Sequence, residues 1–230
     1  MAVEQGPPRF PNDSQHMFVT GRNGTGKTVA SVWHLSRRSW DVRPWVIIDA
    51  KADKLIADIP GLEEIGAGDK IPEYPGLYVV RPQPDEDEAV DQTLWNAWQM
   101  THCGVYVDEA YFIKESSKPF NAILRTGRSR EVPLIALSQR PKRVPRALIS
   151  ESTMFQVYDL NDKRDQDTLA EFTTISQSDF DTLGLYESMY YDVGRNAKRK
   201  LPPVETEDLI LQRFEDRQPK KPKRKFLGLW

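Results

Sequence analysis

Residues 21–28, GRNGTGKT, combine three glycines, a lysine and a threonine at the spacing G-x-x-x-x-G-K-[ST]. Gly21, Gly24 and Gly26 let the backbone bend tightly and approach phosphate oxygens. Successive backbone N–H groups across Arg22, Asn23 and Thr25, with a helix start behind them, form an anion nest. Lys27 adds a point charge for the β- and γ-phosphates of ATP, and the Thr28 hydroxyl is a ligand for Mg2+. The competing reading is a Gly-rich turn with an incidental lysine. Context favours the nucleotide cradle, because the loop lies between an apolar run, HMFVT at 16–20, and a helical pattern.

A second group of residues fits the same chemistry. GVYVDE at 104–109 is an apolar strand ending in two carboxylates. Ligands bind at the C-terminal edge of an open α/β sheet, so the pair belongs beside the phosphates. Asp108 is expected to hold Mg2+, and Glu109 to orient and deprotonate the attacking water. Simple switch GTPases and small-molecule kinases usually lack the second acid. The alternative for the pair is a surface turn after a core strand.

The elements that must carry these residues alternate between two periods. Short apolar runs at 16–20, 45–49, 77–80, 104–108, 132–138 and 153–158 read as buried strands. Between them lie helical patterns at 26–40, from 85 onward, at 118–126 and at 163–172. In the first, Val29, Val32, Trp33 and Ser36 share one face. The acidic run DEDE at 85–88 suits a helix N-terminus, where carboxylates meet the positive end of the dipole. Strands alternating with helices imply βαβ units and a mostly parallel sheet. Residues 186–203 read as a C-terminal hairpin turning at Gly194–Asn196. The expected organisation is an irregular arm at 1–15, an ATPase domain at 16–204, a helix at 205–218 and a basic tail at 219–230.

Composition bounds the rest. The 230 residues are 39% hydrophobic and 29% charged, as in a globular chain rather than a disordered one. No apolar run is long enough to span a bilayer, and the start resembles no signal peptide. The single cysteine, Cys103, permits no intramolecular disulfide and fits a reducing compartment. Net charge is −2, yet PKKPKRKFLGLW at 219–230 carries five cations and no anion, which suits either an anionic, capsid or membrane-face partner or a solvated terminal tail. His102 beside Cys103 supplies too few ligands for a transition metal. His16 is expected at a strand start, His34 on a helix surface, and the tryptophans in the core.

Four stretches resemble the FtsK–HerA superfamily of DNA-pumping ATPases. IIDAK at 47–51 is similar to a second-strand signature ending Asp-Pro-Lys, with Ala50 in place of proline. GRSREVPLIALSQRP at 127–141 is similar to Gly-Arg-Ser, an apolar strand, then Thr-Gln-Arg-Pro, with Ser138 replacing threonine. STMFQVYDLNDKRDQDTL at 152–169 resembles the following strand, its Asp-x-Arg turn and the next helix. The cradle and the Asp-Glu pair complete the order. In length and lack of an anchor the chain looks most like genome-packaging ATPases of tailless double-stranded DNA viruses with an internal membrane.

The resemblance implies a RecA-like P-loop core of the ASCE type, a homo-oligomeric ring, as a hexamer, and double-stranded DNA threaded without base reading. It implies that Gln139 senses the γ-phosphate. It also implies an arginine finger delivered to the neighbouring subunit, with Arg128 the first choice and Arg125, Arg130 and Arg164 behind it. Arg140, Lys142, Arg143 and Arg146, four cations in seven positions broken by two prolines, suggest an ordered loop on the DNA backbone or, equally, an exposed connection that keeps the chain soluble. The expected places of work are the host cytoplasm and the packaging vertex of the virion, with capsid or viral membrane proteins as partners of the tail. Three rivals stay open here: a filamentous-phage extrusion ATPase, a small-molecule kinase and a nucleotide-switched assembly factor.

Overall fold

The computed structural model describes residues 7–219. Strands β1 (Met17–Thr20), β2 (Pro44–Asp49), β3 (Glu63–Glu64), β4 (Gly76–Val80), β5 (Gly104–Asp108), β6 (Leu134–Ser138), β7 (Met154–Val157), β8 (Ser188–Asp192) and β9 (Ala197–Leu201) make one sheet. The helices are α1 (Lys27–Ser36), α2 (Lys54–Ala57), α3 (Asp87–Met100), α4 (Lys118–Arg130), α5 (Arg146–Glu151), α6 (Lys163–Ala170), α7 (Gln177–Phe180) and α8 (Glu207–Asp216).

The sheet order is β3-β4-β2-β5-β6-β1-β7-β8-β9. The first seven strands in that order pair in parallel; β8 and β9 form the antiparallel hairpin. Parallel strands need crossovers that cover both faces, so the strands read as near-continuous apolar runs. Alternate residues enter different cores. Phe18, Val46 and Val107 pack with Leu94, Phe120, Ile123 and Leu169 of α3, α4 and α6. Met17, Val19, Ile47 and Tyr106 pack on the other face with Leu35 of α1 and Ile210 and Phe214 of α8.

Several boundaries differ from the sequence expectation. Helix α4 continues past Thr126 to Arg130, where Glu131 turns into the left-handed region at φ 54° and ends it. Leu134 rather than Val132 then opens β6. The stretch from Gln139 to Leu148 is a 3-10 turn at Pro141–Arg143 followed by the start of α5, not a loop throughout. The run at 85–88 does open a helix, but α3 begins only at Asp87. The basic tail from Lys220 onward lies outside the described residues.

His34 is the clearest correction. It is 2% exposed rather than on a helix surface, and its Nε2 lies 2.7 Å from Gln156 Oε1. Burial pushes its pKa down to about 3, so it is neutral. The reason is long-range. Helix α1 packs against the sheet, where Tyr190 of β8 meets the His34 ring, and against Phe10 of the N-terminal arm, and a single-helix pattern shows only one of those partners. His16 does stand at the start of β1, buried, with its Nδ1 accepting from the Leu134 N–H at 3.1 Å.

The N-terminal arm is tied to the end of α1. Arg38, fully buried, donates to the carbonyls of Pro11 at 2.9 Å and of Asn12. Phe10 meets the Trp33 ring edge-on at 5.1 Å.

Gly104 sets where β5 begins, and so where its tip ends. It pairs with Trp45 of β2, and a methyl group on it would lie 2.0 Å from the fully buried Trp45 ring. We expect Gly104→Ala to destabilise the fold by about 2–3 kcal/mol through overpacking, measured by urea unfolding; an unchanged midpoint would refute this placement.

Candidate active site

Residues 21–26 link the end of β1 to the start of α1. Two features force glycine there. A methyl at Gly21 would sit 2.5 Å from Tyr158 Cβ, so the loop's first residue passes directly over the residue that follows β7. Gly26 lies at φ 92°, where side chains are strained, and it turns the chain into the helix. The loop then closes on one carbonyl. Thr25 Oγ1 donates to the Arg22 carbonyl at 2.9 Å, and Lys27 Nζ donates to it at 3.1 Å. Arg22 itself is tethered to β7's exit by Arg22 Nε–Asp159 Oδ2 at 2.7 Å and by its N–H to the Asp159 carbonyl at 2.8 Å.

Parallel register carries the second group to the same edge. Thr20 is level with Ser138, and Val107 with Ala136, so the tips of β1, β5 and β6 end together. Asp49 at the end of β2 is level with Asp108. The cradle, Asp108, Glu109 and Gln139 therefore meet on one edge of the sheet.

Burial governs the electrostatics. Lys27 is 7% exposed, and burial lowers its pKa while Glu109 and Asp108 oppose that. Asp108 is 4% exposed, and burial lifts its pKa to about 7. The Lys51 ammonium opposes that rise, while the neighbouring carboxylates of Glu109, Asp49 and Asp53 add to it. Asp49 is raised for the same first reason, despite Arg81 Nε at 3.4 Å. No described residue donates a hydrogen bond to the Asp108 carboxylate or pairs with the Thr28 hydroxyl. Those two oxygen donors suit a hard divalent cation that keeps waters and phosphate oxygens in its shell.

Glu109 is held from several sides. Its backbone sits in the left-handed region at φ 60°, a strain that clusters at working sites. Gln139 donates from Nε2 to Glu109 Oε1 at 2.8 Å, and from its N–H to Oε2 at 3.4 Å. Lys51 pairs with Oε1 as well. Gln139 thus touches the acid at this edge.

No family model matches the sequence. Over 216 residues the chain is 42% identical to the DNA packaging ATPase P9 of Enterobacteria phage PRD1, spanning 90% of this chain and 95% of that one. The chain belongs to the P9 family. Among solved structures it is similar to the genome packaging NTPase B204 of Sulfolobus turreted icosahedral virus 2 in complex with AMPPCP. That match has a TM-score of 0.62 at 13% identity, over 84% of this chain and 100% of that one. VirB4 of Thermoanaerobacter pseudethanolicus matches with a TM-score of 0.66 at 11% identity, over 89% and 93%. At such identities the likeness is one of fold, and that fold is the P-loop ATPase core expected from the motifs.

In this P9-family chain the fourth catalytic candidate stays apart. Helix α4 runs back from the β5 tip, and Arg128 lies in its last turn beside Gly127, which abuts His16 at the start of β1. That is the edge opposite the cradle. The side chains of Arg128 and Arg125 are exposed and make no hydrogen bond or ion pair with another described residue. Arg130 is engaged by the Trp98 carbonyl at 2.9 Å, and Arg164 by Asp162 at 3.1 Å.

Lys51 is the residue that sequence reasoning passed over. It belongs to the quoted stretch at 47–51, but nothing local announces a contact across 58 positions. Because Lys51 opposes the rise of Asp108, removing its charge should lift that carboxyl further. We expect kcat/KM for ATP to lose activity below about pH 7. In Lys51→Ala this acid limb should shift to higher pH. A pH–rate profile checks both, and an acid limb that stays put would count against the assignment.

Proposed function

We propose that this P9-family chain is an ATP-hydrolysing motor that drives double-stranded DNA into a viral capsid. The convergence of the lysine loop and the Asp-Glu tip on one sheet edge supports hydrolysis, and the near full-length likeness to P9 supports DNA as its substrate. Backbone N–H groups from Gly21 to Gly26 and the Lys27 ammonium bind the β- and γ-phosphates. Glu109 takes the proton of the attacking water, and Gln139 holds that carboxylate in place while its amide reports on the γ-phosphate. Thr28 and Asp108 would hold Mg2+, which neutralises charge on the triphosphate when bound.

Exposed Arg128, out of reach of its own cradle, fits a finger offered to the next subunit of a ring, which we take to be a hexamer. The basic stretch divides into paired and unpaired cations. Arg140 is committed to Asp162 and Asp165 at 2.7 and 2.9 Å, and Arg146 to Glu171 at 3.0 Å. Exposed Lys142 and Arg143 are then the cations available to DNA phosphates, without base reading. The motor would work in the host cytoplasm and at the packaging vertex of the virion, with its tail meeting capsid or membrane proteins. Among the described residues no helix is long and apolar enough to cross a membrane, unlike the usual extrusion ATPase.

The direct test is ATP turnover with and without double-stranded DNA. Wild type should be stimulated, and Glu109→Gln should lose about 100-fold or more of the stimulated rate while still binding ATP. Unstimulated wild type, together with an indifferent Glu109→Gln, would end this reading. Arg128→Ala should also lose about 1000-fold or more if the finger acts in trans. Mixing Arg128→Ala with Glu109→Gln subunits should then restore part of the rate, since some interfaces regain both groups. No recovery on mixing would remove Arg128 from that role.

A further inference from the structure

One exposed aromatic side chain beside the cradle has no role so far. A Cβ at Gly26 would lie 3.4 Å from Tyr186 Cδ1, so the Tyr186 ring rests against the loop one residue before Lys27. Tyr158, the other aromatic near Gly26, is buried beneath the loop and hydrogen-bonded to Gln156 at 3.0 Å. Tyr186 is different. It is 49% exposed, its neighbour Leu185 is 74% exposed, and its hydroxyl pairs with no described residue.

The turn that carries it is built rather than loose. The Gly184 N–H donates to Glu187 Oε2 at 2.6 Å, and the Glu187 N–H donates to the Gly184 carbonyl at 3.2 Å. Lys200 of β9 pairs with Glu187 at 2.6 Å and donates to the Thr182 carbonyl at 2.7 Å. Within this frame Tyr186 takes φ 60°, a conformation a bulky residue adopts only when its surroundings impose it. Strain of that kind, aimed at a phosphate loop, marks a side chain that is being presented.

We infer that Tyr186, with Leu185 at its edge, is the platform on which the nucleobase of the bound triphosphate stacks. The inference rests on the ATPase reading and adds how the uncharged end of the ligand is held. The phosphates occupy the nest, so the ribose and base must leave it along the loop's outer side. An exposed ring there offers a π-face, and stacking on an aromatic tolerates any base. The platform also gives the appended hairpin a purpose, because β8 begins two residues after Tyr186 and β9 supplies Lys200.

The test separates base from phosphate. Binding of ATP and of inorganic tripolyphosphate is measured by calorimetry on the full chain with Mg2+ present. Tyr186→Ala should weaken ATP about tenfold and leave tripolyphosphate within about twofold, while Tyr186→Phe keeps both affinities. In Tyr186→Trp, ATP should quench the indole fluorescence beyond the change produced by tripolyphosphate. Retained tripolyphosphate binding also shows that the variant is folded. Equal affinity of wild type and Tyr186→Ala for ATP overturns the platform alone. So does a parallel change for both ligands, which would make Tyr186 a cover over the phosphates. If wild type binds neither ligand, the ATPase reading fails and the platform with it.

Discussion

Crowding of like charges on one nearly dry sheet edge is the constraint on which this structure depends. Asp49, Asp108 and Glu109 end two neighbouring strands, all almost without solvent. Such a group of carboxylates is tolerable only if cations are close or a proton is kept. Both solutions are present. Lys51 and Gln139 satisfy Glu109, Arg81 approaches Asp49, and Asp108 holds its proton up to about neutral pH. The edge is therefore nearly balanced without ligand, and an arriving anion with its counter-cation re-divides contacts that already exist.

The sheet converts that balance into fixed geometry. Parallel pairing places the tips of β1, β5 and β6 within one residue of each other, so groups far apart in sequence share one rim. Both faces are covered by helices, and β1, β2, β4, β5, β6, β7 and β8 each contribute side chains to two cores. A shift of one residue in β2 or β5 would exchange those cores and carry Asp49 or Asp108 to the wrong face. Packing such as Gly104 under the Trp45 ring thus maintains the chemistry from a distance.

What was legible in the sequence follows from distance along the chain. The cradle could be read because its glycines, lysine and threonine lie within eight residues, between a strand and a helix. The Asp-Glu tip could be read because both acids close one apolar run. The parallel sheet and its hairpin followed from alternating periods. Contacts made across the fold were out of reach. Gln139 and Lys51 reach Glu109 over 30 and 58 positions, and nothing local encodes either approach. A helical period shows one buried side and so sets His34 on a surface, whereas α1 has sheet and arm around it. Short α2, α5 and α7 carry too few residues for a period to emerge.

The Arg38 guanidinium has a consequence of its own. It stands just beyond α1, the helix whose first residue is Lys27, and burial lowers its pKa to about 10. Its partners are main-chain oxygens of residues 11, 12 and 15, which any side chain at those positions would supply. Sequence drift in that stretch is therefore harmless, whereas deletion is not. A chain shortened beyond residue 12 would leave the buried guanidinium only the Gln15 carbonyl at 3.5 Å, just past the end of the helix that begins at the cradle. Residues 11–15 act as a plug behind α1, and they are as much part of the folded unit as the strands.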